Sequence, residues 1–338
     1  MESLPLLDAV EPKFMDKLAE RADDLAHGDK PSDLVKAAIA VGSVPIMLGA
    51  LASTAVAQAP QTVIDVLQYA LLLENLENQF YLGVTGASGS PFAAAFATVR
   101  GKFAAANATI LPTLNLLSQH ETAHVALLQT VIKVLGATPN TYDPATTFDF
   151  TGARKVGGDP NGPFYPATQD VTFLLAGTQG FEDTGVRAYK GQAAKLMGSS
   201  YLTPALQIHA LEARHASRIR RLRRTLDTAN TQVRYSGTVK GDAAAAAGAP
   251  TGASLPMAVV NAFAAIYAGE GNTMHTVNNG TSDATIDAQG LSGLSSGADV
   301  TLAFDEALGA TAVAGIVQTF IIPDLPALSS NLQLSNPV

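Results

Sequence analysis

A chain of 338 residues that is 47% hydrophobic, 15% charged and 6% aromatic is built to fold around an aliphatic core, and it is longer than one typical domain. Its formal net charge of -8 argues against a nucleic-acid partner, because phosphate binding depends on clustered Lys and Arg. The absence of cysteine excludes disulfides, iron-sulfur clusters, thiolate zinc sites and cysteine nucleophiles, so any metal must be held by oxygen and nitrogen.

Residues 1–60 form an N-terminal segment of two parts. EPKFMDKLAERADDLA, with Phe14, Leu18 and Leu25 at helical spacing, reads as an amphipathic surface helix. Residues 37–57 are almost entirely Ala, Val, Ile, Leu and Gly and lead into VAQA, which admits three readings: an export leader, a buried or partner-binding helix, or a membrane contact. The leader-like composition tips localisation toward an extracytoplasmic setting, although the stretch begins later than a signal peptide normally does.

Residues 61–230 carry four long helical patterns. The first, QTVIDVLQYALLLENLENQFYLGV, opens after Pro60 and is expected to stop at Gly83 and Gly86. The second runs from about Gly101 through HETAH to Gly136, with Pro112 expected as a kink. The third contains FEDTGVRAY, and the fourth, LEARHASRIR, follows it after the short SSYLTP turn. About 30 residues from Ala137 to Pro166, rich in Pro, Gly, Asp and Asn, separate the second and third patterns, where compact folds use about 4 to 6. The third and fourth are joined tightly and so should be antiparallel; if the first and second also pair antiparallel, the second and third run parallel, and a long crossover is what such an arrangement needs. The expected fold is mainly α: a ferritin-like four-helix bundle with one long crossover, preceded by the N-terminal segment and followed by a loose Ala/Gly-rich tail, 231–338, with two or three short helices.

Each helix offers one glutamate at a matching place: Glu74, Glu121, Glu182 and Glu212. The second and fourth add His124 and His215 three residues later, on the same helix face. This is the ligand pattern of di-iron and di-manganese carboxylate bundles. About 0.2 Glu-x-x-His pairs are expected by chance for this Glu and His content, so two in separate helices carry weight together. Tyr81 and Tyr189 each follow a motif glutamate by seven residues, two turns along one face, where a phenol could hydrogen-bond a carboxylate of a neighbouring helix. Four carboxylates gathered in a bundle repel one another, and two divalent cations neutralise them. The ligand types suit iron or manganese, and zinc also fits them. Ion pairs between Glu and His are the plainer alternative, but they leave excess negative charge.

The segments LLLENLENQFY, HETAH, FEDTGVRAY and LEARHASRIR, together with IYAGEGNT and AFDEAL in the tail, resemble the desiccation-related protein family of bacteria and plants. The resemblance covers most of the chain beyond Gln61. It implies a ferritin-like bundle, iron or manganese binding at Glu74, Glu121, His124, Glu182, Glu212 and His215, and a stress or desiccation context.

Other polar residues receive plainer readings. Glu77 is expected as a solvated neighbour of Glu74, and His120 and His209 as surface or supporting histidines. The run Arg214, Arg218, Arg220, Arg221, Arg223 and Arg224 is expected to solvate a helix C-terminus, and Glu270 with His275 to belong to a Gly-rich turn rather than a minor metal site. Two functions follow as expectations. One is a di-metal oxidoreductase that oxidises Fe(II) or removes peroxide, with metal ions and oxygen or peroxide as partners. The other is a structural or assembly-forming homo-oligomeric bundle whose metal is only a staple.

Overall fold

The computed structural model describes residues 61–155, 161–226, 256–278, 283–290 and 305–325. The expectations for 1–60 lie outside the described residues, and no helix among those described is long and apolar enough to cross a membrane.

Four long helices form the core: α1 (Gln61–Thr85), α2 (Ile110–Val134), α3 (Val171–Ala193) and α4 (Leu202–Leu226). α1 packs mainly on α2, and α3 on α4. Side-chain pairings fix the directions. Gln68, early in α1, donates to Thr138 O beyond the end of α2 (2.7 Å), so α1 and α2 are antiparallel. Gln179 meets Arg223 and Asp183 meets Arg220, so α3 and α4 are antiparallel as well. Tyr81 reaches Glu182 while Tyr189 reaches Glu74, which sets α1 antiparallel to α3 and therefore α2 parallel to α3. The fold is thus a ferritin-like helical bundle, and residues 135–170 are its crossover.

Two expected helix boundaries move. α1 runs through Gly83 to Thr85; a side chain on Gly83 would lie 2.7 Å from Phe92 Cβ, so this glycine admits the returning chain and does not stop the helix. The turn comes at Gly86, which has φ +78°. The second pattern breaks after the single helical turn Phe103–Ala106, and α2 begins only at Ile110. Pro112 then sits in the first turn, where a backbone N–H has no intrahelical partner, so no kink arises.

The crossover is anchored by aromatic packing at one end of the bundle. Phe150 lies edge-on to Phe80 (centroids 5.4 Å) and Phe92 (4.8 Å), and Phe320 joins Phe164 (4.8 Å) to Phe181 (5.0 Å). Backbone bonds tie it to the far C-terminal region: Asp149 N donates to Phe320 O (2.9 Å) and Ile322 N to Thr147 O (2.8 Å).

Described parts of the tail lie on α3. Two short helices, α5 (Met257–Ile266) and α6 (Ala310–Val317), pack there, and between them β1 (Met274–Asn278) pairs antiparallel with β2 (Asp283–Asp287). The hairpin is not anticipated above. Arg187, 2% exposed, is the anchor. It pairs with Glu270 (3.3 Å), donates to the carbonyls of Ile266, Ala268 and Glu306, and accepts at its own carbonyl from Leu308 N (3.1 Å). Glu270 in turn accepts from Glu306 N (2.7 Å), so its role is this ion pair and its cap on the chain at 306. Tyr267 donates to Asp183 Oδ2 (2.7 Å). Leu308 O would lie 1.9 Å from a Cβ on Gly191, so only glycine allows this approach.

Removing one partner of a buried, hydrogen-bonded ion pair typically costs about 3–5 kcal/mol. Arg187→Ala is therefore expected to lower stability by about that amount in denaturant melts and to expose the segment after Ile266 to proteolysis before the bundle helices are cut.

Candidate metal centre

Glu74 on α1, Glu121 and His124 on α2, Glu182 on α3, and Glu212 and His215 on α4 converge at the middle of the bundle. All six are buried, and the four glutamates are 0–1% exposed. Each helix delivers its residues by the 3.6-residue period: positions three apart project together from α2 and from α4 toward the bundle axis.

The contacts fall into two groups. Nδ1 of His124 lies 3.1 Å from Glu74 Oε2, 3.1 Å from Glu121 Oε2 and 3.2 Å from Glu212 Oε1. Nδ1 of His215 lies 3.1 Å from Glu182 Oε2, 3.0 Å from Glu121 Oε1 and 3.4 Å from Glu212 Oε2. Glu121 and Glu212 therefore give one oxygen to each group, whereas Glu74 and Glu182 each belong to one. A single ring nitrogen carries at most one hydrogen, so it cannot satisfy three carboxylate oxygens. Glu121 Oε1 and both oxygens of Glu212 in fact accept no hydrogen bond despite their closeness to the imidazoles. An ion bonded at about 2.1 Å holds adjacent ligand atoms about 3.0–3.4 Å apart. The donor set thus fits metal ions: Glu74, Glu121, His124 and Glu212 would hold one, and Glu121, Glu182, Glu212 and His215 would hold another.

Two phenols brace the terminal carboxylates. Tyr81 donates to Glu182 Oε1, and Tyr189 to Glu74 Oε1 (2.5 Å). Burial first, and then the neighbouring carboxylate, pushes both phenols well above their ordinary range, so they stay protonated donors. The brace crosses from α1 to α3 in both directions, giving the site a twofold-like pattern. His120 breaks that pattern. Its Nδ1 lies 2.9 Å from Nε2 of His215, the ring nitrogen that faces away from the carboxylates. No matching partner for His124 appears among the described residues, so the His215 half has a supporting imidazole of its own.

Glu77 differs from its expected exposed position. It is 6% exposed, and its Oε1 and the Glu212 side chain both border the space left open by Gly185. Burial, and then Glu212 and Glu182, raises its carboxyl well above the usual range. It belongs to neither ligand group, and its spacing of three from Glu74 is the signal that places it on the same face. His209 bonds Val186 O (2.9 Å) at the α3–α4 contact, away from the ligand groups. The arginine run is divided by the helix: Arg214, Arg218 and Arg221 are exposed, Arg220 pairs with Asp183 (3.2 Å), and Arg223 is buried against Gln179 (2.5 Å). Arg223 therefore corrects the reading of a wholly solvated run.

Without metal, the cluster neutralises itself with protons. Burial raises Glu74 to about 8, against the pull of His124, and raises Glu182 well above the carboxylate range. Burial also pushes against charge on Glu121 and Glu212, but the two histidines outweigh it and hold both low. Burial likewise opposes charge on His124 and His215, and their carboxylate neighbours override it and raise both. The directions favour protons on Glu74, Glu182, His124 and His215 and charge on Glu121 and Glu212.

Residues 62–225, which span the four bundle helices, match the ferritin-like domain family. No curated protein and no solved structure matches the chain.

Cations entering this cluster must displace protons from Glu74, Glu182, His124 and His215. Uptake should therefore release protons, and apparent affinity should rise with pH, by up to about tenfold per displaced proton per unit; Mn(II) titration with proton release followed in weak buffer on both sides of neutrality checks it. Glu74 binds a proton in the fold up to about pH 8, whereas it titrates near 4.5 when exposed. Its contribution to metal-free stability is complete below about pH 4.5 and is lost as pH rises toward 8, so Glu74→Gln should flatten that part of the stability profile. His120→Ala should weaken one of two bound ions by about 10–100-fold and leave the other, seen as two separated steps in a chelator competition.

Proposed function

We propose that this chain is a ferritin-like di-metal carboxylate protein. Glu74, Glu121, His124, Glu182, Glu212 and His215 hold two iron or manganese ions, and the protein oxidises Fe(II) or removes peroxide in protection against stress such as desiccation. The observation that carries this reading is the sharing of Glu121 and Glu212: their four oxygens divide between His124 and His215, and three of them have no hydrogen bond. A histidine ion pair uses one oxygen of one carboxylate; a pair of cations uses all four.

Two such ions, when bound, supply a redox couple and Lewis acidity in a water-poor pocket. The chain's own residues do the rest. Glu121 and Glu212 set the spacing of the two half-sites, and Tyr81 and Tyr189 hold Glu182 and Glu74 in place through O–H donors. His120 Nδ1 at His215 Nε2 fixes that imidazole with its other nitrogen toward the carboxylates. Glu77, raised by burial, keeps a carboxylic proton beside Glu212 for exchange with the cluster.

A structural reading has its own support in the docked tail. Arg187 and Gly191 fasten C-terminal segments onto the ligand-bearing helix α3, an arrangement that also suits a metal used only as a staple or an assembly-forming subunit. It implies tightly held metal with no turnover.

Elemental analysis separates the readings from an empty scaffold. About two iron or manganese ions per chain are expected, and Glu121→Ala with Glu212→Ala should abolish both together because these carboxylates are shared. Fe(II) oxidation or peroxide consumption by the loaded protein identifies an enzyme; full metal content with neither activity identifies a staple; a metal-free wild type sinks the proposal.

A further inference from the structure

Below the carboxylates, toward the α3–α4 turn, the bundle is not filled. A cavity of about 40 Å³ lies between the four helices, lined almost wholly by apolar side chains. Its inner end is made by one residue from each helix. Leu73 precedes Glu74, Leu128 follows His124 by four, Tyr189 follows Glu182 by seven, and Ile208 precedes Glu212 by four. Four residues along a helix is about 6 Å, so the cavity ends roughly one turn from the ligand groups. Val66 lines it seven residues before Leu73, which gives a run of about 10 Å along α1 toward Tyr201 at the α3–α4 turn. Tyr189 belongs to both spaces: its ring lines the cavity while its hydroxyl donates to Glu74 Oε1.

We propose that this cavity is a dioxygen-binding site that supplies the metal centre, so that the protein consumes O2 in preference to hydrogen peroxide; the inference rests on the di-metal reading above. A space with so apolar a lining favours small apolar guests over polar ones. Dioxygen is such a guest. Hydrogen peroxide carries two donors and four lone pairs, and would have to leave its hydrogen bonds in water to enter. With Fe(II) as reductant the reaction balances: two Fe(II) give one electron each to one O2, which takes two protons and leaves as hydrogen peroxide, with two Fe(III) formed.

The test has two arms. Metal-free protein with labelled Leu, Ile and Val methyls is placed under oxygen pressure, and the paramagnetic relaxation produced by O2 is read at each methyl. Leu73, Leu128, Ile208 and Val66 should relax several-fold faster than Ile110 and Leu114, which are fully buried but outside the cavity. Ala205→Phe, which puts a ring into the cavity, should remove the difference; Ala70→Val serves if the larger change prevents folding. In the iron-loaded protein the same variant should slow Fe(II) oxidation by O2, at limiting O2, much more than oxidation by hydrogen peroxide. Equal relaxation in cavity and core methyls overturns the binding site, and equal slowing with both oxidants overturns its supply role. A chain that takes up no iron or manganese overturns the metal reading and with it the supply role, while the relaxation arm still decides whether the cavity holds dioxygen.

Discussion

Four carboxylates and two imidazoles sit where the interior of a helical bundle is otherwise aliphatic, and the rest of the structure answers to that fact. Anions cannot stay charged there without partners, because burial takes them out of bulk water. Protons can neutralise them, as the metal-free pairing of His124 and His215 with Glu121 and Glu212 does, but only by leaving carboxylate oxygens without hydrogen bonds. Cations remove both problems. The surrounding features hold this arrangement in register: the crossed tyrosine braces between α1 and α3, the imidazole behind His215, and an aromatic cluster at one end of the bundle.

The second requirement is that α3 stay fixed, since it carries Glu182, Tyr189 and Glu77's neighbour Gly185. Much of the described tail serves this helix. Arg187 lies five residues beyond Glu182, and its guanidinium organises the carbonyls of Ile266, Ala268 and Glu306 into one cap. Glu270 supplies the compensating charge, which makes a buried arginine tolerable. Tyr267 and Glu270 of IYAGEGNT thus turn toward α3, to Asp183 and Arg187.

Much of the bundle and of the ligand grouping was legible in sequence because helical period and ligand chemistry impose spacing. Glu-x-x-His in α2 and α4, and the seven-residue steps to Tyr81 and Tyr189, express contacts along one helix face, and a period of 3.6 converts them directly into geometry. The crossover was legible because its length has one topological use. What escaped depends on residues distant in sequence. Glu77 has the same local spacing as a ligand and is buried by the close approach of α3 at Gly185; Arg223 is buried because Gln179 waits on α3; Gly83 is helical because Phe92 needs the space. None of these reasons is written within one turn of the residue concerned. The apolar cavity escaped for the same cause, since unfilled space belongs to four helices at once.

The bond between the crossover and the end of the chain carries a consequence for order in time. Residues 147–149 pair with 320–322, and Phe320 completes the aromatic contact between Phe164 and Phe181. A ribosome delivers α1 to α4, with every metal-cluster residue, before it delivers Phe320. The nascent bundle thus passes through a period in which its ligands are assembled but that end lacks its last aromatic ring, and loop-closure entropy makes so long-range a contact a late one. Assembly of the buried Glu and His cluster and sealing of the fold are set in sequence by the position of one phenylalanine near the C-terminus.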